Sequence, residues 1–159
     1  MKSLLVLFSY HHKNTEKIAK VLAKVLEAQI KTPQQINPQE LQDYNLIGFG
    51  SGIYGAKHDK SILDLADELP QVQNKKAFIF STSALTGEEK KADDHSLLKE
   101  KLQSKGYIIV DSFQCKGFNT NSFMRFIGGM NKGRPNAEDL TRAEEFAQNL
   151  KQNCHRSES

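Results

Sequence analysis

The chain opens with a buried strand, a short polar loop and an amphipathic helix in immediate succession. Leu4–Phe8 are consecutive apolar residues, which is typical of a strand covered on both faces. After the polar loop, apolar residues recur at helical spacing, at Ile18, Val21, Leu22, Val25 and Leu26. A strand covered on both faces needs a layer on each side, so this opening predicts an α/β fold with helices flanking a parallel sheet.

The same alternation of strand and helix continues along the chain. A short strand is predicted within Ala28–Gln35, where Pro33 limits pairing and favours the sheet edge. Longer elements follow in turn, with strands at 44–50, 77–80 and 107–110, and helices from about 59 to 70, over 88–105 and from 136 onward. We therefore expect a single domain over residues 1–153 and a polar tail at 154–159.

The loop after the first strand carries side chains that suit an anion. A helix that follows a parallel strand begins with unpaired backbone N–H groups and a partial positive charge, so a phosphate is a natural ligand there. The loop adds hydroxyls, an amide and candidate cations that can bond phosphate oxygens, at Ser9, His11, His12, Lys13, Asn14 and Thr15. The alternative is that Asn14 or Thr15 only caps the helix.

At this loop the chain resembles the flavodoxins. A hydroxyl at Ser9, four variable residues and then Asn14-Thr15 before a helix is similar to the loop that holds the FMN phosphate in that family. The resemblance implies FMN as the cofactor, with its phosphate among the loop residues just named. It also implies a flavodoxin-like three-layer αβα sandwich of the short-chain type, with a five-stranded parallel sheet in the order 2-1-3-4-5. His12 and Lys13 stand where many flavodoxins have Thr and Gly, which either strengthens phosphate binding or gives the loop a different shape.

The loop after the third predicted strand, Ser51–Gly55, is the second candidate. Gly52 and Gly55 bracket Ile53 and Tyr54, and glycine permits positive φ and close approach of the backbone to a ligand. The resemblance implies that this loop contacts the isoalloxazine ring, with Tyr54 stacked on the ring and the loop backbone near the flavin N5. The alternative is an ordinary glycine-rich turn with a partly exposed tyrosine.

The third candidate loop follows the next strand and is rich in hydroxyls and small residues. It begins at the predicted carboxyl end of that strand. The resemblance implies that it bonds the polar pyrimidine edge of the flavin through Ser81, Thr82, Ser83, Ala84 and Gly87. The alternative is a Ser/Thr-rich turn that caps the following helix.

The predicted topology brings the first two loops together. In open parallel sheets, ligands bind beyond the carboxyl ends of the strands where the strand order reverses, which for the order 2-1-3-4-5 lies between strands one and three. The loop at 9–15 follows strand one, and the loop at 51–55 follows strand three. We therefore expect them to be neighbours.

Two further features have weaker functional interpretations. Asp93, Asp94 and His95 look like a metal cluster, but adjacent helical residues point in different directions, so we expect solvated surface charge. The aromatic- and glycine-rich segment 116–136 is expected either to lie over the flavin side of the sheet or to pack its aromatics against the core. Its cations are candidates for binding an anionic partner or the phosphates of NADPH, with surface solubility as the alternative: Arg125, Lys132 and Arg134.

Composition and charge leave several classes of function without support. The net charge is +3, and the cations are spread among acids rather than gathered in a nucleic-acid-binding stripe. The longest apolar runs are far shorter than the roughly 20 residues of a membrane-spanning helix and too short for a signal-peptide core, so we expect a cytoplasmic protein. Cys115 and Cys154 lack metal-ligand or C-x-x-C spacing and are expected to be free thiols. No serine lies in the G-x-S-x-G context typical of a hydrolase.

The leading hypothesis for function is a low-potential electron carrier that uses FMN between redox protein partners, as a monomer or weak dimer. The alternative is an NAD(P)H-dependent, FMN-containing quinone or flavin oxidoreductase on the same fold, which makes NAD(P)H a second candidate partner. A third class is a flavin-free interaction domain, which the His12-Lys13 replacement allows. The basic charge is unusual for the leading hypothesis, because flavodoxins are usually acidic.

Overall fold

A computed structural model describes residues 1–9, 13–118 and 131–157 of the protein. The first strand, β1, covers Ser3–Phe8, and the first helix, α1, covers Asn14–Leu26. The remaining elements follow in the order β2 (Gln29–Lys31), β3 (Leu46–Tyr54), β4 (Lys57–His58), α2 (Lys60–Glu68), β5 (Lys75–Ser83), α3 (Glu88–Ser104), β6 (Tyr107–Lys116) and α4 (Ala137–Arg156). Short 3₁₀ turns at Pro33–Gln35 and Pro38–Asp43 lie between β2 and β3.

Five of the described strands form a parallel sheet in the order β2-β1-β3-β5-β6, and the two-residue strand β4 pairs antiparallel with the end of β3. Among the parallel strands this is the predicted order 2-1-3-4-5, so the predicted fold class is confirmed, with β4 as an addition. The order reverses between β1 and β3, where Phe8 lies opposite Ser51. A crevice therefore opens beyond this point at the carboxyl edge of the sheet.

Alternate residues of β1 face two separate helical layers. Leu4 and Val6 pack in one buried cluster with side chains of α2 and α3, whereas Leu5 and Leu7 pack in a second cluster with side chains of α1 and α4. The exposed fraction of each of these four side chains is at most 6%. Burying a side chain of this size stabilises the fold by about 1.5–3 kcal/mol, so both faces of the sheet hold the sandwich together.

β3 and β5 run further than the sequence predicted. The segments at 51–54 and 81–83, predicted as loops, are strand, because main-chain pairing continues through them. Ser51 pairs with Ser81 between β3 and β5, and Ile53 then pairs with His58 of β4. The second candidate loop is thus the arm of a β-hairpin, and we call the segment 52–58 the Tyr54 hairpin.

The last helix begins where the sequence predicts it and continues into the predicted tail. At its start, Asn136 and Asp139 form a capping box. It continues to Arg156 and buries Cys154, which is 4% exposed. The packed part of the chain therefore extends past residue 153, the predicted end of the domain.

The prediction of solvated charge on α3 is wrong for two of its three residues. Asp93 is exposed, but Asp94 and His95 are only 1% and 3% exposed. Both bond side chains of the neighbouring strands, which the spacing of residues along α3 does not reveal.

Candidate functional site

The start of α1 forms one wall of the crevice. Lys13 is the N-cap residue, in the left-handed region with φ 51° and ψ 39°, and its side chain makes no capping bond. Ser9 Oγ accepts from the backbone N–H of Glu16 at 3.3 Å instead. Neither Asn14 nor Thr15 is the N-cap residue, and the hydroxyl of Ser9 bonds the first turn of the helix. His11 and His12 lie outside the described residues.

Asn14 and Thr15 connect this wall to the far strands. Asn14 Nδ2 donates to the Phe118 carbonyl at 2.8 Å, and its Oδ1 is buried without a hydrogen-bond partner in the described part of the chain. Thr15 Oγ1 lies 2.8 Å from Thr82 Oγ1, inside the fold. The start of α1 is thus linked to β5 by a hydrogen bond across the point where the strand order reverses.

The Tyr54 hairpin forms the second wall. Its turn is Gly55-Ala56, with φ values of 61° and 60°, and two successive positive φ angles make the tight connection that antiparallel strands prefer. Tyr54 at the tip is 40% exposed. Its ring lies against the backbone of Gly52, where an added Cβ would be 3.1 Å from Tyr54 Cε2.

The end of β5 and the end of β6 complete the cleft. Gly117 N–H donates to Ser83 O at 3.1 Å, and Asn131 Nδ2 donates to Ala84 O at 2.7 Å. An added Cβ at Gly117 would lie 2.7 Å from Asn14 Nδ2, so only glycine leaves room for Asn14 there. These contacts hold the described start and end of the segment 116–136 against the β5 side of the cleft.

Seven of the residues predicted for a ligand site line one cleft. Its volume is about 20 Å³, and its walls are Asn14, Gly52, Ile53, Tyr54, Thr82, Ser83, Ala84, Gly117 and Phe118. Gly117 and Phe118 were not predicted individually, although they belong to the aromatic- and glycine-rich segment that the sequence singled out. Gly87 instead lines a separate cavity of about 400 Å³, beside Phe113 and Arg142.

Ser51 and Ser81 direct their hydroxyls into the interior rather than into the cleft. Ser51 Oγ contacts His58 Nδ1 at 3.1 Å, and Ser81 Oγ contacts His95 Nε2 at 2.7 Å. Both serines are fully buried. Their side chains support the cleft from behind, so any direct contact of these two residues with a ligand has to come from the backbone.

The two histidines are held neutral by their surroundings. Burial, and then the nearby His95, lower the pKa of His58 well below its ordinary value. Burial also lowers the pKa of His95 to about 4, against the opposing effect of the Asp94 carboxylate. Asp94 is itself engaged, since it accepts from Gln114 Nε2 at 2.9 Å and pairs with Lys90.

The described cations of the segment 116–136 differ in their contacts. Arg134 donates to Asp139 through Nε at 2.5 Å and through a second nitrogen at 2.6 Å, so it braces the start of α4. Lys132 is exposed. Arg125 lies outside the described residues.

The donor set of the cleft fits a phosphorylated planar cofactor. The first turn of α1 offers backbone N–H groups beside Ser9 and Lys13, which suits a phosphate. Asn14 Oδ1 is a buried acceptor without a partner among the described residues, which suits a sugar-chain hydroxyl. At the other wall of the cleft, the Tyr54 ring lies against the backbone of Gly52.

The described residues support neither a metal site nor a membrane-spanning helix. Within 1–9, 13–118 and 131–157, no three His, Cys, Asp or Glu side chains come together as metal ligands. None of the helices described is both long enough and apolar enough to cross a membrane.

Comparison with known proteins bears on the family and the fold. Residues 5–138 match the family model of the flavodoxin domain. An uncharacterized protein of Methanocaldococcus jannaschii is 46% identical over 153 residues, which are 96% of this chain and 100% of that protein. Oxidised flavodoxin 2 from Bacillus cereus has a similar structure, with a TM-score of 0.67 at 19% identity over 92% of this chain and 95% of that chain.

The same fold occurs inside a larger protein. Rubredoxin oxygen:oxidoreductase from Desulfovibrio gigas matches 98% of this chain with 37% of its own length, with a TM-score of 0.69 at 17% identity. These structural likenesses show the fold, and the family model covers most of the sequence. The chain therefore belongs to the flavodoxin family.

Proposed function

We propose that the protein binds FMN and carries electrons at low potential between redox proteins. Family membership supports a flavin as the cofactor. The observation that carries the proposal is that the start of α1, the Tyr54 hairpin and Thr82–Ala84 meet in one cleft where the strand order reverses. A bound flavin supplies the redox chemistry, and the protein holds it and tunes it.

The phosphate is assigned to the start of α1. Its first N–H groups, the hydroxyl of Ser9 and the ammonium of Lys13 provide donors and positive charge. Asn14 Oδ1 accepts from a hydroxyl of the ribityl chain, which would give this buried oxygen the partner it lacks among the described residues. Thr82, Ser83 and Ala84 line the cleft and are assigned to the polar edge of the ring.

The flat ring is assigned to the space beside Tyr54. A cleft of about 20 Å³ does not admit an isoalloxazine, so the Tyr54 ring must turn away from Gly52 on binding. Tyr54 is at the tip of a hairpin and is 40% exposed, so this rotation leaves both core clusters intact. Tyr54 would then be able to stack its ring on the flavin.

Three exposed lysines lie around the cleft, and we infer from them that the redox partner is acidic. Lys13, Lys57 and Lys132 are exposed at this edge of the sheet. The nearby Asp59 is engaged, because its carboxylate accepts from the Ser61 N–H and caps α2. Complementary charge steers association between proteins, so an acidic surface on the partner gives the faster encounter.

A cytoplasmic location is part of the proposal. Cys115 and Cys154 are buried, and neither forms a disulfide. Cysteines outside disulfides in a small domain fit a reducing compartment better than an oxidising one.

The visible absorption of the purified protein, followed by titration with FMN and with riboflavin, tests the proposal. We expect a yellow protein, or one that takes up FMN more tightly than riboflavin, because riboflavin lacks the phosphate. The variant Lys13→Ala should weaken FMN binding, while Lys24→Ala, an exposed lysine near the far end of α1, should not. A colourless protein that takes up neither compound would overturn the proposal.

Mixing the flavin-loaded protein with NAD(P)H distinguishes a carrier from an enzyme. A carrier is expected to stay oxidised until a redox protein reduces it. Rapid direct bleaching of the flavin by NAD(P)H would instead identify an oxidoreductase on the same fold.

A further inference from the structure

Behind the cleft, two buried histidine rings lie against each other. The ring centroids of His58 and His95 are 5.1 Å apart, and the ring planes are inclined by 39°. Their exposed fractions are 2% and 3%. One nitrogen of each ring, Nε2 of His58 and Nδ1 of His95, is buried without a hydrogen-bond partner among the described residues.

The proton on His58 can be assigned from its partner. Ser51 Oγ donates to Gly52 O at 2.8 Å, so its single proton is used. Its lone pairs then accept from the Asp59 N–H at 3.0 Å and from His58 Nδ1 at 3.1 Å. His58 therefore carries its proton on Nδ1 and leaves Nε2 as a bare acceptor.

The position of the proton on His95 can be assigned in the same way. Ser81 Oγ accepts from Gln114 Nε2 at 3.1 Å and lies 2.7 Å from His95 Nε2. Among the described contacts, His95 Nε2 is the acceptor available to the Ser81 hydroxyl proton. A neutral His95 therefore carries its proton on Nδ1 and leaves Nδ1–H as a donor.

A buried donor and a buried acceptor thus belong to adjacent rings whose centroids are 5.1 Å apart. We propose that His58 and His95 form a buried clamp, in which one bound water accepts from His95 Nδ1–H and donates to His58 Nε2. Such a water would satisfy both nitrogens, as buried waters typically do. The clamp would complete a chain of hydrogen bonds from Gly52 through Ser51 and the two rings to Ser81.

The clamp positions the two walls of the cleft relative to each other. On one side, Ser51 and His58 belong to β3 and β4, which carry Tyr54. On the other side, Ser81 immediately precedes Thr82, which lines the cleft. The histidines are thus positioning residues for both walls, and their effect on a flavin rests on the function proposed above.

Hydrogen exchange of backbone amides in the flavin-free protein tests the coupling. In His58→Phe, which keeps the ring but removes the bonds, amides of 82–87 should exchange about five- to tenfold faster, as expected for one lost hydrogen bond. In His58→Gln, whose amide offers a donor and an acceptor, their exchange should stay close to that of the wild type. His155→Phe replaces an exposed histidine of α4 and serves as the matched control.

Each outcome of that measurement decides for or against the clamp. Faster exchange in both walls with rescue by glutamine supports it. Faster exchange confined to the Tyr54 hairpin overturns it, since a merely local packing role would have that effect. If His58→Phe fails to fold, ¹⁵N shifts of the histidine rings in the wild type decide instead. Both rings should be neutral with the proton on Nδ1, and a proton on Nε2 of either ring overturns the assignment.

The affinities for FMN and riboflavin provide a second test of the clamp. His58→Phe should weaken FMN and riboflavin by the same factor, because the clamp acts on the ring walls and not on the phosphate. If the wild type binds neither compound, the proposed function fails while the exchange result still decides on the clamp.

Discussion

Asn14 shows how a single side chain serves both the fold and the candidate site. Its amide nitrogen holds the Phe118 carbonyl at 2.8 Å, and its amide oxygen is buried in the cleft wall. The variant Asn14→Asp keeps the shape but turns the donor into a second acceptor and adds a negative charge. We expect FMN binding to weaken by about 10- to 100-fold, since hydrogen bonds and repulsions that involve charged groups are of that size.

Riboflavin and a distant asparagine provide the controls for Asn14. Riboflavin should lose less affinity than FMN, because it lacks the phosphate that the new carboxylate repels. Asn153→Asp makes the same charge change at an exposed position of α4 and should leave FMN binding unchanged. Equal losses for the two flavins would show that the new carboxylate does not act on the phosphate. Fluorescence titration measures all of these affinities.

Close packing around Gly50 leaves no room for a larger side chain. A Cβ at Gly50 would lie 2.2 Å from Phe80 Cε2, in a sheet face where both residues are buried. Gly50→Ala should therefore lower the free energy of unfolding by about 1–3 kcal/mol or more, as overpacking does. Urea denaturation measures the loss.

The double variant Gly50→Ala/Phe80→Leu checks the cause of that loss. If the clash with Phe80 is responsible, the double variant should be more stable than the sum of the two single changes predicts. Simple additivity would show that the alanine disturbs β3 in another way.

At the scale of elements, β3 and α3 show what the sequence could and could not reveal. The apolar run of β1 and the alternation of strand and helix after it predicted the fold, because these signals are local. The three candidate loops supplied seven of the nine cleft residues, through their resemblance to the flavodoxins. The end of β3 was predicted as a loop, since nothing local announces that Lys57-His58 folds back on it through a residue such as Ala56 at positive φ. The burial of Asp94 and His95 was missed for a similar reason. The partner of His95 is Ser81, 14 positions away along the chain, and the partner of Asp94 is Gln114, 20 positions away.

The buried histidine of α3 predicts how stability depends on pH. An unfolded histidine has a pKa near 6.5, and the pKa of His95 in the fold is lowered to about 4. The unfolded state then binds more protons between these values, so stability is greatest above about pH 6.5 and falls as the pH drops towards 4. The loss from His95 is about 3 kcal/mol, and the lowered pKa of His58 acts in the same direction.

Urea denaturation at about pH 7 and about pH 4.5 measures this dependence. The variant His95→Gln, which does not titrate, should flatten the curve, whereas His155→Gln at an exposed site should not. The groups facing His95 come from β4, from β5, from β6 and from its own helix: His58, Ser81, Gln114, Lys90, Lys91 and Asp94. A wild type whose stability is the same at both pH values would contradict the neutral, buried state of these rings.

At the scale of the whole molecule, the net charge of +3 adds to the exposed lysines around the cleft. Association with an acidic electron donor should therefore slow as ionic strength rises, because a Debye length of about 10 Å at 0.1 M salt screens surface charges. Lys57→Glu, next to Tyr54 in the hairpin, should slow the reaction at low salt and reduce its salt dependence.

Stopped-flow reduction of the flavin-loaded protein by an acidic and by a basic redox protein measures these rates. Lys24→Glu makes the same change of charge near the carboxyl end of α1, at the opposite edge of the sheet from the cleft, and is expected to have a much smaller effect. If Lys24→Glu and Lys57→Glu slow the reaction equally, the overall charge steers the encounter and the lysines around the cleft do not form a docking surface. If the basic donor reacts faster than the acidic one at low salt, the inferred charge of the partner is wrong, because attraction between unlike charges should dominate there.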